Sequence, residues 1–236
     1  MLPLPSPSAQ AERLVALGVH ELAGLSATDL RDAAAAAGPD GALLVVHPSL
    51  VPASRLAPLV EREGSRAFVV ADMTDVDAFA PIEPATPPAG PVHLVDGVDR
   101  GDALANRSPD EALVEITAQG RTPLTLAEGL HWLLQQPEAL ARNRCFMTIG
   151  SRLRRPDGRL DTRTPALWLS NGTGRDGRER RGAPKVGWCW AGNRHTWLGF
   201  ASGTGRTALR APQPPGASPT SANRGTALLT PAAASA

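Results

Sequence analysis

The chain has 236 residues and a formal net charge of +1, and 42% of its residues are hydrophobic. This length allows one large or two small domains with a sizeable buried core, and no apolar run approaches the ~18 residues of a membrane-spanning helix. Two cysteines, Cys145 and Cys189, are too few for a disulfide framework. Residues 1–10 lack the basic and apolar regions of a secretory signal. We therefore predict a soluble, cytoplasmic protein with no membrane partner.

Charge is distributed unevenly along the chain. Residues 1–120 carry a net charge of −10, whereas residues 121–236 carry +11. Either the two halves face and neutralise each other, or the basic half binds a polyanion such as a nucleic acid, since phosphate affinity grows with the number of cations presented. We favour neutralisation over nucleic-acid binding.

The predicted elements begin after a proline-rich segment, residues 1–8, which we predict to be a disordered tail. A helical pattern starts at Ala9, and Ser26 with Asp29 forms a capping box for a second helix. Three apolar runs follow and are typical of buried strands: 42–47, 67–71 and 92–95. A helical stretch at 53–63 separates the first two runs, and this order predicts a parallel βαβ unit.

The second half begins with two helices that carry strong start signals. Ser108 with Glu111, and Thr125 with Glu128, have the spacing of capping boxes. Four strand-like runs follow, separated by polar, glycine-rich turns, and they predict an antiparallel sheet: 145–149, 166–169, 186–190 and 196–200. Residues 208–236 are dominated by Pro, Ala, Ser and Thr, which predicts a disordered tail.

We therefore predict an α+β fold, in which a small βαβ-like N-terminal half packs on a C-terminal antiparallel β-sheet. The globular domain is expected to span residues 9–207, with two lobes at 9–105 and 106–207.

The most distinctive run is 185–199. Gly192 and Asn193 form a turn dipeptide between two β runs, which predicts a hairpin. In that hairpin Trp190 faces His195 and Trp188 faces Trp197, so four aromatic side chains share one face while Cys189 lies on the other. Such a face can stack on a flat ligand, or it can be the core-facing side of the sheet. The predicted ligand-binding residues are Lys185, Trp188, Trp190, Asn193, His195 and Trp197.

Other candidate chemistry is weaker. Cys189 and His195 lie on opposite faces of the predicted hairpin, which argues against a nucleophile–base pair. The cysteines lack zinc-ligand spacing, so no metal and no cofactor are predicted. The loop arginines are interpreted as solvated (Arg175, Arg178, Arg180 and Arg181), and the other four histidines as structural or exposed (His20, His47, His93 and His131).

Two groups of aspartates follow predicted strands. Asp72, Asp75 and Asp77 follow the second strand. Asp96, Asp99 and Asp102 follow the third. Neighbouring strand ends often hold ligand groups in α/β proteins, and two carboxylate groups there can hold Mg²⁺ or Ca²⁺. Neither group matches a calcium-loop pattern, so we favour solvated loops over a metal site. With His195, these residues are the best candidates for an enzyme site.

Several runs form a recognisable set: 120–125, 128–129, 143–146, 150–152, 165–170 and 183–199, of which GWCWAGNRHTWLG over 187–199 is the most specific. The set resembles a family of uncharacterised actinobacterial proteins. The resemblance covers residues 10–207 and implies a domain of unknown function, without an activity.

The leading hypothesis is a non-enzymatic binding or interaction protein that takes a small ligand or a protein partner on the aromatic face and the nearby basic surface. The alternative is a small-molecule enzyme with its site at the aspartate-rich strand ends and His195.

Overall fold

A computed structural model describes residues 3–37 and 41–209 of the chain. The α-helices in these ranges are α1 (Pro7–Ala16), α2 (Val19–Leu22), α3 (Ala27–Ala35), α4 (Ala53–Leu56), α5 (Pro109–Ala118) and α6 (Leu126–Gln135). Short 3-10 helices lie at Ala57–Leu59, Val76–Ala78, Glu83–Ala85, Asp102–Leu104, Pro137–Ala139, Gly174–Asp176 and Arg178–Arg180. None of the helices in the described ranges is long and apolar enough to cross a membrane.

Within the described residues, short strands form five small sheets. The strands are β1 (Leu43–Val46), β2 (Glu61–Arg62), β3 (Ser65–Arg66), β4 (Phe68–Val69), β5 (Phe79–Pro81), β6 (Val92–Asp96), β7 (Thr122–Pro123), β8 (Cys145–Met147), β9 (Ser151–Leu153), β10 (Arg163–Leu169), β11 (Pro184–Trp190), β12 (Leu198–Phe200), β13 (Ser202–Gly203) and β14 (Gly205–Leu209). The larger sheets have the strand orders β1-β6-β14 and β12-β8-β10-β11-β4. With six α-helices and mixed sheets, the predicted α+β class is confirmed.

The predicted parallel βαβ unit is wrong. Strands β1 and β6 pair antiparallel, with Leu43 opposite Val95, and β4 joins the other large sheet, where it runs parallel to β11. The segment between β1 and β4 does not form a crossover helix: α4 is only one turn long and is followed by a 3-10 turn and the β2–β3 hairpin.

The predicted lobes are not separate in the fold. Strand β14, from the end of the domain, pairs with β6, and β4, from the first lobe, pairs with β11. Both sheets therefore cross the predicted boundary at residue 105. Strand β14 also extends to Leu209, so the predicted C-terminal tail overlaps the fold at 208–209, and the rest of that tail lies outside the described residues.

The five-stranded sheet is covered on both faces. On one face, Phe146 and Leu167 belong to the main core with Trp132 of α6, whose indole ring lies 5.1 Å from the ring of Phe146. On the other face, Met147 and Ala166 form a second apolar cluster with α5. The two capped helices therefore lie on opposite sides of the sheet.

The capping boxes of α3, α5 and α6 are confirmed, because each N-cap side chain and its acidic partner exchange hydrogen bonds with the opposite backbone. Helix α1 starts at Pro7 rather than Ala9, since Ser6 caps it and Pro7 fits its first turn. Pro7 is buried and Leu4 packs against the core. The prediction of a disordered tail over residues 1–8 is therefore wrong for residues 3–8.

A buried ion pair ties β14 to α6. Arg206 donates from Nε to Oε1 of Glu128 at 2.6 Å and from Nη2 to Oε2 at 2.8 Å. His93 Nε2 of β6 lies 3.2 Å from the same carboxylate, which also accepts the backbone N–H of Thr125. Burial alone would raise the pKa of Glu128, but the hydrogen bonds from Arg206 and His93 lower it to about 2.

The uneven charge of the chain is partly neutralised inside the fold. Within the described residues, five arginines of the basic half pair with carboxylates of the acidic half. The pairs are Arg144–Asp102, Arg152–Asp110, Arg163–Asp75, Arg175–Asp72 and Arg194–Glu111. These contacts favour neutralisation over a polyanion-binding surface.

Candidate functional site

The predicted hairpin over 185–199 does not form. Strand β11 pairs with β10, and Ala191 continues that pairing by donating its N–H to Thr162. Strand β12 instead pairs in parallel with β8, with Leu198 beside Cys145. Because β10 and β8 lie between β11 and β12, Trp190 is not opposite His195.

The aromatic side chains of this run therefore form two pairs rather than one cluster. Trp188 and Trp190 meet edge to face with ring centroids 4.6 Å apart, and His195 lies 4.8 Å from Trp197. Strand alternation places Trp188 and Trp190 on the face of β11 opposite Cys189. His195 and Trp197 lie on the Cys189 side, where all three line one cavity. Trp188 also borders this cavity, at the part of β11 that has no pairing with β4.

This cavity, which we call the aromatic cavity, has a volume of about 450 Å³. Its lining is mainly apolar and aromatic, with a few polar side chains. The lining residues are Asn143, Arg144, Cys145, Ala166, Trp168, Leu169, Asn171, Trp188, Cys189, His195, Trp197 and Leu198. It therefore brings together β8, β10, β11 and the loop before β12.

Trp168 is held in place by its neighbours on β11. A Cβ atom added to Gly187 would lie 2.4 Å from Cη2 of Trp168, so only a glycine leaves room for the ring in this position. Lys185, opposite Trp168 in the strand register, places Nζ 4.5 Å from the centroid of the ring. Together, Gly187 and Lys185 fix the indole against the strand.

Both thiols in the aromatic cavity are held in the neutral form. Burial raises the pKa of Cys145 to about 12, and its Sγ lies 3.7 Å from the carbonyl oxygen of Trp197. Burial also raises the pKa of Cys189. Because the thiolate is the nucleophile and the metal ligand, neither side chain is poised for covalent or metal chemistry at neutral pH.

A second cavity of about 330 Å³ adjoins the first and shares Trp168, Asn171 and Trp188 with it. We call it the polar cavity because charged side chains dominate it. Its other lining residues are Val70, Ala71, Asp72, Thr173, Arg175, Asp176, Arg180 and Lys185.

Two of the three cations in the polar cavity are paired. Lys185 Nζ lies 2.6 Å from Oδ2 of Asp176, and Nη1 of Arg175 lies 3.8 Å from Oδ2 of Asp72. The guanidinium of Arg180 instead lies 4.4 Å from the ring centroid of Phe68. Within the described part of the chain, no carboxylate oxygen lies within ion-pair distance of Arg180.

A third cavity, of about 150 Å³, adjoins the aromatic cavity and shares Asn143, Arg144, Trp197 and Leu198 with it. Arg144 is exposed, and its Nη1 lies 3.4 Å from Oδ2 of Asp102. Charged side chains therefore line both of the cavities that share residues with the aromatic cavity.

The structure separates the six predicted ligand-binding residues. Trp188, His195 and Trp197 line the aromatic cavity, while Lys185 lines the polar cavity. Trp190 is exposed and lines neither, and Asn193 is exposed in the turn after β11, where its N–H donates to Trp190.

The aspartate groups do not form one site. The strands before them, β4 and β6, lie in different sheets. Asp75 is paired with Arg163, and Asp77 accepts hydrogen bonds from Ser54. Asp72 lines the polar cavity, whereas Asp102 lines the third. In the described ranges, no three His, Cys, Asp or Glu side chains are placed to hold a metal ion.

Sequence reasoning missed several lining residues. Trp168 and Cys145 were predicted only as strand residues. Arg180 was predicted only as a solvated loop residue; it is exposed, and it also lines the polar cavity. One signal was present: Gly187 interrupts a run of bulky strand residues, and an isolated glycine in a strand often marks the close approach of another group.

Comparison with known proteins gives a family but no activity. A family model described as a family of unknown function, DUF5701, matches residues 13–209. No curated protein and no solved structure matches the chain.

Proposed function

Because the chain belongs to this family of unknown function, we propose a function from the geometry of the site: the protein binds a small molecule with a flat, apolar body in the aromatic cavity. The observation that carries the proposal is a cavity of about 450 Å³ lined by indole and imidazole rings and two neutral thiols. Small-molecule sites are typically concave, mostly apolar and about 300–1,000 Å³ in volume.

Trp197 is the residue best placed to contact a bound molecule. Its side chain is 53% exposed although it lines the cavity and stacks on His195. Burial of an aromatic ring against a ligand contributes strongly to binding. A ligand in the cavity would cover this ring.

We propose binding without chemistry as the primary role. The raised pKa values of Cys145 and Cys189 leave both thiols protonated at neutral pH. The enzyme alternative has less support, because the aspartates on which it depends line different cavities or are paired elsewhere. We assign this function to the cytoplasm, where free thiols such as these stay reduced.

The test uses N-phenyl-1-naphthylamine, a neutral aromatic probe whose fluorescence rises in apolar sites. We expect the full chain to bind it saturably, and Trp197→Ala to weaken binding by about tenfold, since loss of one aromatic contact removes roughly 1–1.5 kcal/mol. Trp190→Ala is the matched control, because Trp190 is 46% exposed and does not line the cavity.

Equal binding by the wild type and both variants would place the probe elsewhere and refute the proposal. Absence of saturable binding by the wild type would refute it as well. Urea unfolding of each variant checks that any loss of binding does not come from loss of the fold.

A further inference from the structure

The aromatic and polar cavities adjoin each other and share three lining residues. Trp168 lines both cavities, and so do Asn171 and Trp188. A molecule seated against one side of Trp168 is therefore adjacent to the charged groups on the other side. The two cavities differ in chemistry. Rings and thiols dominate the aromatic cavity, whose one cation, Arg144, is paired with Asp102, whereas charged side chains dominate the polar cavity.

The polar cavity contains one cation more than it contains anions. Its charged lining residues are Asp72, Arg175, Asp176, Arg180 and Lys185. Lys185 is held by Asp176, which also accepts a hydrogen bond from Ser170 at 2.6 Å. Arg175 lies beside Asp72. Arg180 is the remaining charge, and it is supported by the ring of Phe68.

We propose that the ligand of the aromatic cavity carries a single negative charge, such as a carboxylate, and that this group binds Arg180 in the polar cavity. This inference rests on the proposed function, because it names the chemical class of the molecule bound there: an aromatic monoanion. The planar guanidinium matches the two oxygens of a carboxylate in geometry as well as in charge.

The carboxylates of the polar cavity disfavour a ligand that carries two negative charges. Burial alone would raise the pKa of Asp176, but hydrogen bonds from Lys185 and Ser170, with the nearby charges of Lys185 and Arg180, lower it below its usual range, so Asp176 stays ionised at neutral pH. Lys185 is therefore already neutralised. A phosphate dianion would meet one unpaired cation and the carboxylates of Asp72 and Asp176, whose repulsion disfavours it.

The test is displacement of N-phenyl-1-naphthylamine from the full chain by three ligands that share a naphthalene ring: 2-naphthoate, 2-naphthamide and 2-naphthyl phosphate. We expect 2-naphthoate to bind about tenfold more tightly than the neutral amide, the effect of one hydrogen-bonded charge. We expect the phosphate to bind more weakly than 2-naphthoate.

The source of this preference is tested with two arginines of one loop. Arg180→Gln should bring 2-naphthoate down to the affinity of 2-naphthamide and leave the amide unchanged, while Arg180→Lys keeps most of the preference. Arg178→Gln is the matched control, since Arg178 is exposed in the same loop and does not line the polar cavity.

The outcomes separate the two proposals. Equal affinities for 2-naphthoate and 2-naphthamide, a preference that survives Arg180→Gln, or tightest binding by the phosphate would each overturn the single-anion inference while the aromatic cavity keeps its proposed role. Failure of all three ligands to displace the probe would overturn both.

Discussion

His131 lies in the middle of α6 with both ring nitrogens engaged by backbone groups. The N–H of Val46 donates to Nε2 at 3.2 Å, so Nε2 carries no proton. Nδ1 therefore bears the hydrogen and donates it to the carbonyl oxygen of Ala127 at 2.8 Å. A second proton would have to point at the N–H of Val46. Complete burial opposes the charge as well, and it lowers the pKa of His131 to about 4.

This histidine should make the fold sensitive to mild acid. In the unfolded chain its pKa is about 6.5, so between pH 6.5 and pH 4 the unfolded state binds a proton that the folded state does not. Stability is therefore complete above about pH 6.5 and falls by about 3 kcal/mol as the pH approaches 4. Urea unfolding of the wild type from pH 7 to pH 4 should show this slope.

The variant His131→Gln should remove most of the slope, because glutamine does not titrate. Part of it should remain, since burial also lowers the pKa of His47. A slope as steep in the variant as in the wild type would contradict the assignment to His131.

At the scale of the element, β11 shows how one strand supports two surfaces. Its Gly187 and Lys185 position Trp168 on the side of the two cavities, while Val186 on the other side joins the main core. Past Val186, its outer edge has no strand partner in the described sheet, because β4 ends there. The strand is thus both a core element and the border of the proposed site.

The variant Gly187→Ala should disturb ligand binding more than folding. The new methyl group would meet the end of the Trp168 ring, which must move toward the cavities. We expect a clear loss of N-phenyl-1-naphthylamine affinity with a destabilisation of about 1–3 kcal/mol, the usual range for overpacking. Both are measured on one sample by titration and urea unfolding.

Gly192→Ala is the control for this experiment, because a Cβ at Gly192 meets no atom within 4 Å. It should bind the probe as the wild type does. Unchanged binding by Gly187→Ala would show that Trp168 does not shape the cavity.

Elements differed in how well the sequence predicted them. The starts of α3, α5 and α6 were predicted because a capping box is complete within four residues of the chain. The pairing partners of the strands were not predicted, because a run such as 186–190 can pair in a hairpin or with β10. These two pairings differ only in contacts between residues that are far apart in the sequence.

The candidate site was predicted only in part, because its composition also depends on which strands pair. The sequence pointed to Trp188, His195 and Trp197, which do line one cavity. It could not bring in Trp168 or Cys145, because they reach the cavity from β10 and β8 through pairings with no local signal. It also could not assign Cys189 to the side of His195, since that depends on the sheet rather than on the turn.

At the scale of the whole molecule, the ion pair between Arg206 and Glu128 joins the last described strand to the central helix. Glu128→Ala should destabilise the protein by about 3–5 kcal/mol, because it leaves a nearly buried guanidinium without its partner. Urea unfolding at neutral pH measures this loss.

Glu111→Ala is the matched control, because Glu111 holds the same capping-box position in α5 and also pairs with an arginine, Arg194, but at the surface. Glu111→Ala should lower the free energy of unfolding much less than Glu128→Ala does, since exposed ion pairs contribute little to stability. Similar losses for both variants would show that the capping box, rather than the buried charge, accounts for the effect at Glu128.

The position of β14 at the end of the fold also determines when the first sheet can form during translation. Glu128 is translated 78 residues before Arg206, its cation. Until β14 has been translated, one edge of β6 has no strand partner, and strands of other nascent chains can pair with it. The three-stranded sheet can therefore be completed only after residues 205–209 have been translated.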